Sequence, residues 1–160
     1  MSLVADAGPI LSFARAQRFE LLRDVVSMLL IPEAVYDDIV IRGAGKPGTQ
    51  EVQTSTWLRR ERIQDRSLIE QLPSKLHVGE REAIVLAKER DAALLVDERE
   101  ARRVALQLGI GYIGSLRVLT EAKDRGIIAQ VKPVLDALIA AGFYIGEPLY
   151  QSVLRSVGEA

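Results

Sequence analysis

A chain of 160 residues, 48% hydrophobic and 27% charged, has the length for one domain with a sizeable core and the composition of an ordinary globular protein, far from the disordered regime. It has no cysteine and one histidine, His77, which excludes disulfides, thiolate zinc sites, cysteine nucleophiles and two-histidine ribonuclease chemistry. A formal net charge of −1 requires any nucleic-acid binding to rest on a local patch.

In chain order, Leu3-Val4-Ala5 reads as a strand with apolar residues on both faces, the mark of a central parallel strand, and it ends in Asp6. No basic start or long apolar run precedes it, so no leader or membrane span is expected and a cytoplasmic location is the default. Pro9 suits the first turn of a helix running to about Gln17-Arg18. A second helical piece at Leu21-Leu22 leads into a strand closed by Pro32, and Glu33 to Ile41 forms another helix. The run Arg42 to Gly48 reads as a mobile loop. A polar helical stretch from Thr49 reaches Trp57, and Leu58 to Ile63 reads as an edge strand. Gly79 precedes an amphipathic helix, Glu80 to Lys88. Ala93 to Val96 repeats the opening pattern and ends in Asp97, followed by a helix from Glu98 to Leu108, a strand Ile110 to Ile113 and a helix start at Gly114-Ser115. The tail, 131–160, reads as a helix-strand-helix extension, with a helix ending at Ala141-Gly142, an extended strand Phe143-Tyr144-Ile145 and a last helix from Pro148 to Val157, packed on the same single domain, 1–160. Short apolar runs alternating with helices indicate an α/β fold with a mostly parallel sheet.

Helical spacing selects among the acids. Asp38 lies beside the apolar stripe of its helix, whereas Asp37 falls on the polar side; Glu80 shares a face with Ala83, Ile84 and Ala87, whereas Glu82 falls away from that stripe. Asp6, Asp38, Glu80 and Asp97 therefore make a candidate cluster. Carboxylates crowded together repel unless a cation joins them, and hard oxygen ligands suit Mg²⁺ or Mn²⁺. Taken singly, each has a structural alternative: an N-cap for Asp6 or Asp97, a helix-dipole partner for Glu80, a solvated surface acid for Asp38. A receiver-like or phosphatase-like domain is poorly supported, since the first strand carries no adjacent acidic pair and no DxDxT sequence is present.

Asp6-Ala7-Gly8-Pro9-Ile10, Ile31 to Asp38, Gly79 to Ile84, and Leu95 to Arg99 with Arg102-Arg103 together resemble the PIN-domain family of VapC-like toxin nucleases, within it a subfamily of uncharacterised PIN-like proteins. The resemblance covers nearly the whole chain. It implies a three-layer α/β/α fold around a mostly parallel five-stranded sheet, and an acidic pocket made by Asp6, Asp38, Glu80 and Asp97. It implies a Mg²⁺- or Mn²⁺-dependent endoribonuclease, plausible as the toxin half of a toxin–antitoxin pair, that leaves a 5′-phosphate and a 3′-hydroxyl. Partners would be RNA, a cognate antitoxin protein and a second copy of the chain, the last through the apolar residues Val134, Leu135, Leu138 and Ile139. Arg99, Arg102 and Arg103 are candidates for phosphate contacts, as are Arg59, Arg60 and Arg62; Trp57 and Tyr36 are candidate stacking residues with a buried role as the alternative. Gly8 stands where the subfamily usually has serine, and Asp38 where glutamate is usual. A catalytically weak protein-interaction module is the competing reading.

Overall fold

The computed structural model describes residues 2–160. Five parallel strands form its centre: β1 (Ser2–Ala5), β2 (Met28–Pro32), β3 (Leu58–Glu61), β4 (Ala93–Leu95) and β5 (Tyr112–Ile113), in the spatial order β3-β2-β1-β4-β5. The α/β expectation and the central place of β1 are both met. Successive strand residues point to opposite faces, and the core divides accordingly. Leu3, Ala5, Leu29, Ile31 and Leu95 join one apolar cluster, while Val4, Leu30, Leu94 and Val96 join the other.

The first cluster is closed by α1 (Ala7–Arg15), α2 (Phe19–Val25), α8 (Ser115–Asp124) and α9 (Val131–Ala140). The second is closed by α5 (Arg66–Gln71), α6 (Val78–Glu89) and α7 (Arg99–Gln107). This is the three-layer arrangement, helices on both faces of the sheet. The short helices α3 (Glu33–Tyr36) and α4 (Thr49–Thr54) flank the β2–β3 connection, and α10 (Glu147–Ser156) closes the chain.

Three local features depart from the sequence reading. The helix after Pro32 is not uniform: Asp37–Ile41 is a π turn, in which the Arg42 N–H donates to the Asp37 carbonyl at 2.8 Å. Residues 42–48 form a tethered turn, with the Thr49 hydroxyl donating to the carbonyls of Gly43 at 2.7 Å and Ile39 at 3.1 Å. Phe143-Tyr144-Ile145 is not a strand. Instead α9 ends in a Schellman turn: Gly142 takes φ +112°, its N–H donates to the Ile139 carbonyl at 3.0 Å, and the Phe143 N–H reaches back to the Leu138 carbonyl at 2.9 Å. That cap commits Phe143 to the helix end, and the chain turns directly into α10.

The apolar stripe expected to face a second copy is spent inside the chain. Val134, Leu135 and Leu138 are buried core residues, and Ile139 alone of the four is exposed. Glu159 fastens the tail to this face, accepting from the N–H groups of Val131 (2.7 Å) and Lys132 (2.8 Å) and from the Lys123 ammonium (2.8 Å). Glu159→Ala strands two N–H groups at the start of α9 and leaves the Lys123 ammonium only the Val157 carbonyl, so the expected loss is about 1–2 kcal/mol of unfolding free energy, measured by urea titration.

Candidate active site

In an open parallel sheet, ligands sit beyond the carboxyl ends of the strands where the chain order reverses. Here that point lies between β1, which pairs with β2 on one side, and β4, which pairs with it on the other. Asp6 leaves the end of β1 and Asp97 lies just past the end of β4, and the Asp6 N–H continues the ladder to the Leu95 carbonyl at 3.2 Å. The two residues flank the crevice.

Asp6 occupies the N-cap position of α1 but closes no side-chain cap hydrogen bond. Burial raises its pKa above the ordinary aspartate value; the nearby N–H groups of Ala7 and Gly8 oppose that, and the charge of Asp38 reinforces it. Asp38 reaches the same region from the π turn. A Cβ on Gly79 would stand 3.0 Å from Asp38 Oδ2 and 3.7 Å from Asp6 Oδ1, so the bare glycine in the first turn of α6 makes room for both carboxylates. Asp38 Oδ1 also takes the Arg42 guanidinium, four residues on, through Nε (3.0 Å) and a second, shorter contact through Nη2.

Glu80 is buried. Its Oε1 accepts the His77 N–H at 3.1 Å, and its Oε2 is buried with no donor. Burial, then the charges of Asp6 and Glu98, push its pKa up to about 7. Asp97 is held from the neighbouring strand's helix: Oδ1 accepts the Ser115 N–H at 2.8 Å and Oδ2 the Ser115 hydroxyl at 2.5 Å, with Arg102 Nη2 3.5 Å from Oδ1. The N-cap alternative therefore applies to Glu98, not Asp97. Glu98 caps α7 by accepting the Ala101 N–H at 2.7 Å.

Asp6, Asp97 and Glu98 line one depression of about 350 Å³, together with Gly8, Ser12, Gly142, Phe143 and Tyr144. Asp38 lines a neighbouring one of about 170 Å³ with Arg15, Arg42 and Lys46. Asp6 feels the charge of Asp38 and lends its own to Glu80, and it shares a depression with Asp97, but among the described residues no three acidic or histidine side chains stand close enough to share one ion as they are placed. Glu82 is corrected: it is buried, not turned away. It accepts the Ala34 N–H at 3.0 Å and pairs with Arg66 at 3.1 Å, capping the start of α3. Sequence spacing missed Glu98 and Ser115. The first comes directly after Asp97, and the second opens the helix after the strand paired with β4.

The expected phosphate-binding arginines divide. Arg102 donates through Nε to the Val96 carbonyl at 3.0 Å and lies over Tyr112, and a Cβ on Gly114 would come within 2.0 Å of its Nη2. Arg103 pairs with Glu100, which also takes Lys75 at 3.2 Å. Arg99 is exposed at the start of α7. Arg60 sits over Tyr36 at 4.0 Å, Trp57 packs on Phe19, and Arg59 and Arg62 are exposed charges on or beside the edge strand β3, away from the crevice.

A hard divalent cation fits this chemistry. The donor set is all oxygen, and a buried carboxylate oxygen lacks any donor. In the metal-free protein Glu80 holds a proton in the native state between its unfolded value of 4.5 and about 7, where the unfolded chain does not. Stability therefore falls as pH rises through that window, by on the order of 2–3 kcal/mol. Thermal unfolding in chelator between pH 5 and 8 should show that fall, Glu80→Gln should flatten it, and Mn²⁺ at pH 8 should restabilise the wild-type chain but not the variant.

Comparison with known proteins agrees with this architecture. No curated protein matches the chain. A solved PilT N-terminus domain protein from the hyperthermophilic archaeon Sulfolobus solfataricus P2 superposes with a TM-score of 0.54 at 14% identity, over 92% of this chain and 98% of its own, a likeness of fold. A family model described as a PIN domain (DUF3368) matches residues 2–159, so the chain belongs to the PIN-domain family, whose members are generally nucleases.

Proposed function

We propose that the chain is a Mg²⁺- or Mn²⁺-dependent ribonuclease acting at the acidic depression, and that it serves as the toxin partner of a cognate antitoxin protein. The observation that carries the reading is Glu80: a carboxylate buried beside Asp6 and Glu98, with one oxygen left without a donor, on a PIN fold. A buried charge in that setting is stabilised by neutralisation, by a proton or by a cation.

A bound divalent ion supplies polarisation of a phosphoryl oxygen and a more acidic water nucleophile. Asp6 and Glu80 would hold it, with Asp97 as a third donor whose orientation Ser115 fixes through both carboxylate oxygens. Asp38 would join by exchanging Arg42 for the ion. The substrate's phosphates would meet Arg99 at one side and Arg15 and Lys46 at the other, where they line the depression next to Asp38. Arg102 works indirectly, by holding the Val96 carbonyl and Asp97 in place.

A second reading, a catalytically weak interaction module, is favoured by the pairing of Asp38 with Arg42 and of Asp97 with Arg102 and Ser115. Cleavage assays on single-stranded and structured RNAs with Mg²⁺, Mn²⁺ or chelator distinguish the two. Asp6→Asn and Asp97→Asn should each lose more than about a hundredfold in rate, and Ser115→Ala about ten- to a hundredfold, the usual cost of losing a partner that orients a ligand. Full activity in both aspartate variants, or calorimetry showing no Asp6-dependent Mn²⁺ binding, overturns the nuclease reading.

A further inference from the structure

The substrate of this site would be recognised by more than its phosphates, and the aromatic residues show where. Among the described residues, most of the aromatic rings are spoken for. Phe13 and Phe19 are in the core, Trp57 packs on Phe19, Arg60 covers Tyr36, Arg102 covers Tyr112, and the Tyr150 hydroxyl donates to Asp136 at 2.6 Å. Phe143 packs against the core. Tyr144 makes no such contact and is 90% exposed.

Isolated exposed apolar side chains are common and need no explanation. Two observations set Tyr144 apart. It lines the same depression as Asp6, Asp97 and Glu98. It is also presented from a fixed support, because the residue before it, Phe143, is pinned by the Schellman turn and by its packing on the core. The walls beside it are open: a Cβ on Gly142 would meet nothing within 4 Å, and the nearest atom to one on Gly8 is Asp6 Oδ2 at 4.0 Å. The ring and the carboxylates therefore border one open space. At about 350 Å³ the depression falls at the small end of ordinary ligand sites, on the scale of one nucleotide unit.

We infer that Tyr144 is a stacking platform for an unpaired base next to the scissile phosphate. The inference rests on the nuclease reading of the acidic depression. An unpaired base offers a free π face, whereas bases within a duplex are already stacked.

The test uses the full chain in chelator to suppress cleavage, and a single-stranded oligoribonucleotide containing 2-aminopurine, whose fluorescence is quenched by stacking. Binding should quench the probe. Adding Tyr144→Ala should abolish the quenching and weaken binding about tenfold, Tyr144→Trp should keep both, and a blunt duplex of the same sequence should bind alike with or without Tyr144. Unchanged quenching and affinity in Tyr144→Ala, with its melting temperature intact, overturns the proposal; so does a changed oligomeric state with unchanged RNA binding, which assigns this face to a protein partner. Quenching that depends on Tyr144 in a chain whose parent lacks metal-dependent cleavage sinks the nuclease reading alone.

Discussion

The structure depends on how negative charge is tolerated at the carboxyl end of a buried sheet. β1 and β4 are apolar on both faces, so the residues at their carboxyl ends emerge from a desolvated environment, and the chain places Asp6 and Asp97 there. Every neighbouring element then shows a means of dispersing that charge. The N-terminus of α8 gives Asp97 an N–H and a hydroxyl from Ser115; Arg42 and Arg102 lend guanidinium groups to Asp38 and Asp97; Glu80 answers by holding a proton more tightly. Glycines at positions 79 and 114 keep the space in which these groups approach one another.

This arrangement makes the metal-free site a set of temporary partnerships. Asp38 and Asp97 are each shared with an arginine that is itself partly solvent-exposed, whereas Glu80 has no such partner and bears the cost of burial directly. Exposed ion pairs contribute little to stability, so exchanging them for a cation is inexpensive. Under the proposed function, the buried group is the one whose state would report on metal binding.

Much of the fold was legible because its signals are local and repeated. Fully apolar strands ending in an acid, Pro32 at a strand end and Gly142 after a helix each act through the backbone of a few residues. The site was legible in part: strand-end position picked out Asp6 and Asp97, and helical spacing Asp38 and Glu80. It failed where partners come from afar. Glu82 looked turned away on its own helix, yet α3 and Arg66 cover it; Glu98 looked like a helix start, yet it faces Glu80; Ser115 gains its role only because β5 pairs with β4. The apolar stripe of α9 was visible, but its destination, the chain's own core, was a tertiary fact. The supposed strand at 143–145 was misread because β propensity in three apolar residues was outweighed by a helix cap that claims the first of them.

The π turn at Asp37–Ile41 bears on how this site can change over time. A π turn holds one residue more than an α turn of comparable rise, the geometry left behind when a single residue is inserted into an existing helix. Excising one residue from it would restore a regular helix without lengthening or shortening the path to the Gly43 turn. It would also turn Asp38 and Arg42 from an i,i+4 into an i,i+3 pair, which a regular helix still keeps on one face. A deletion in this turn would therefore keep the Asp38–Arg42 pair and act on the candidate site only through where the turn presents Asp38.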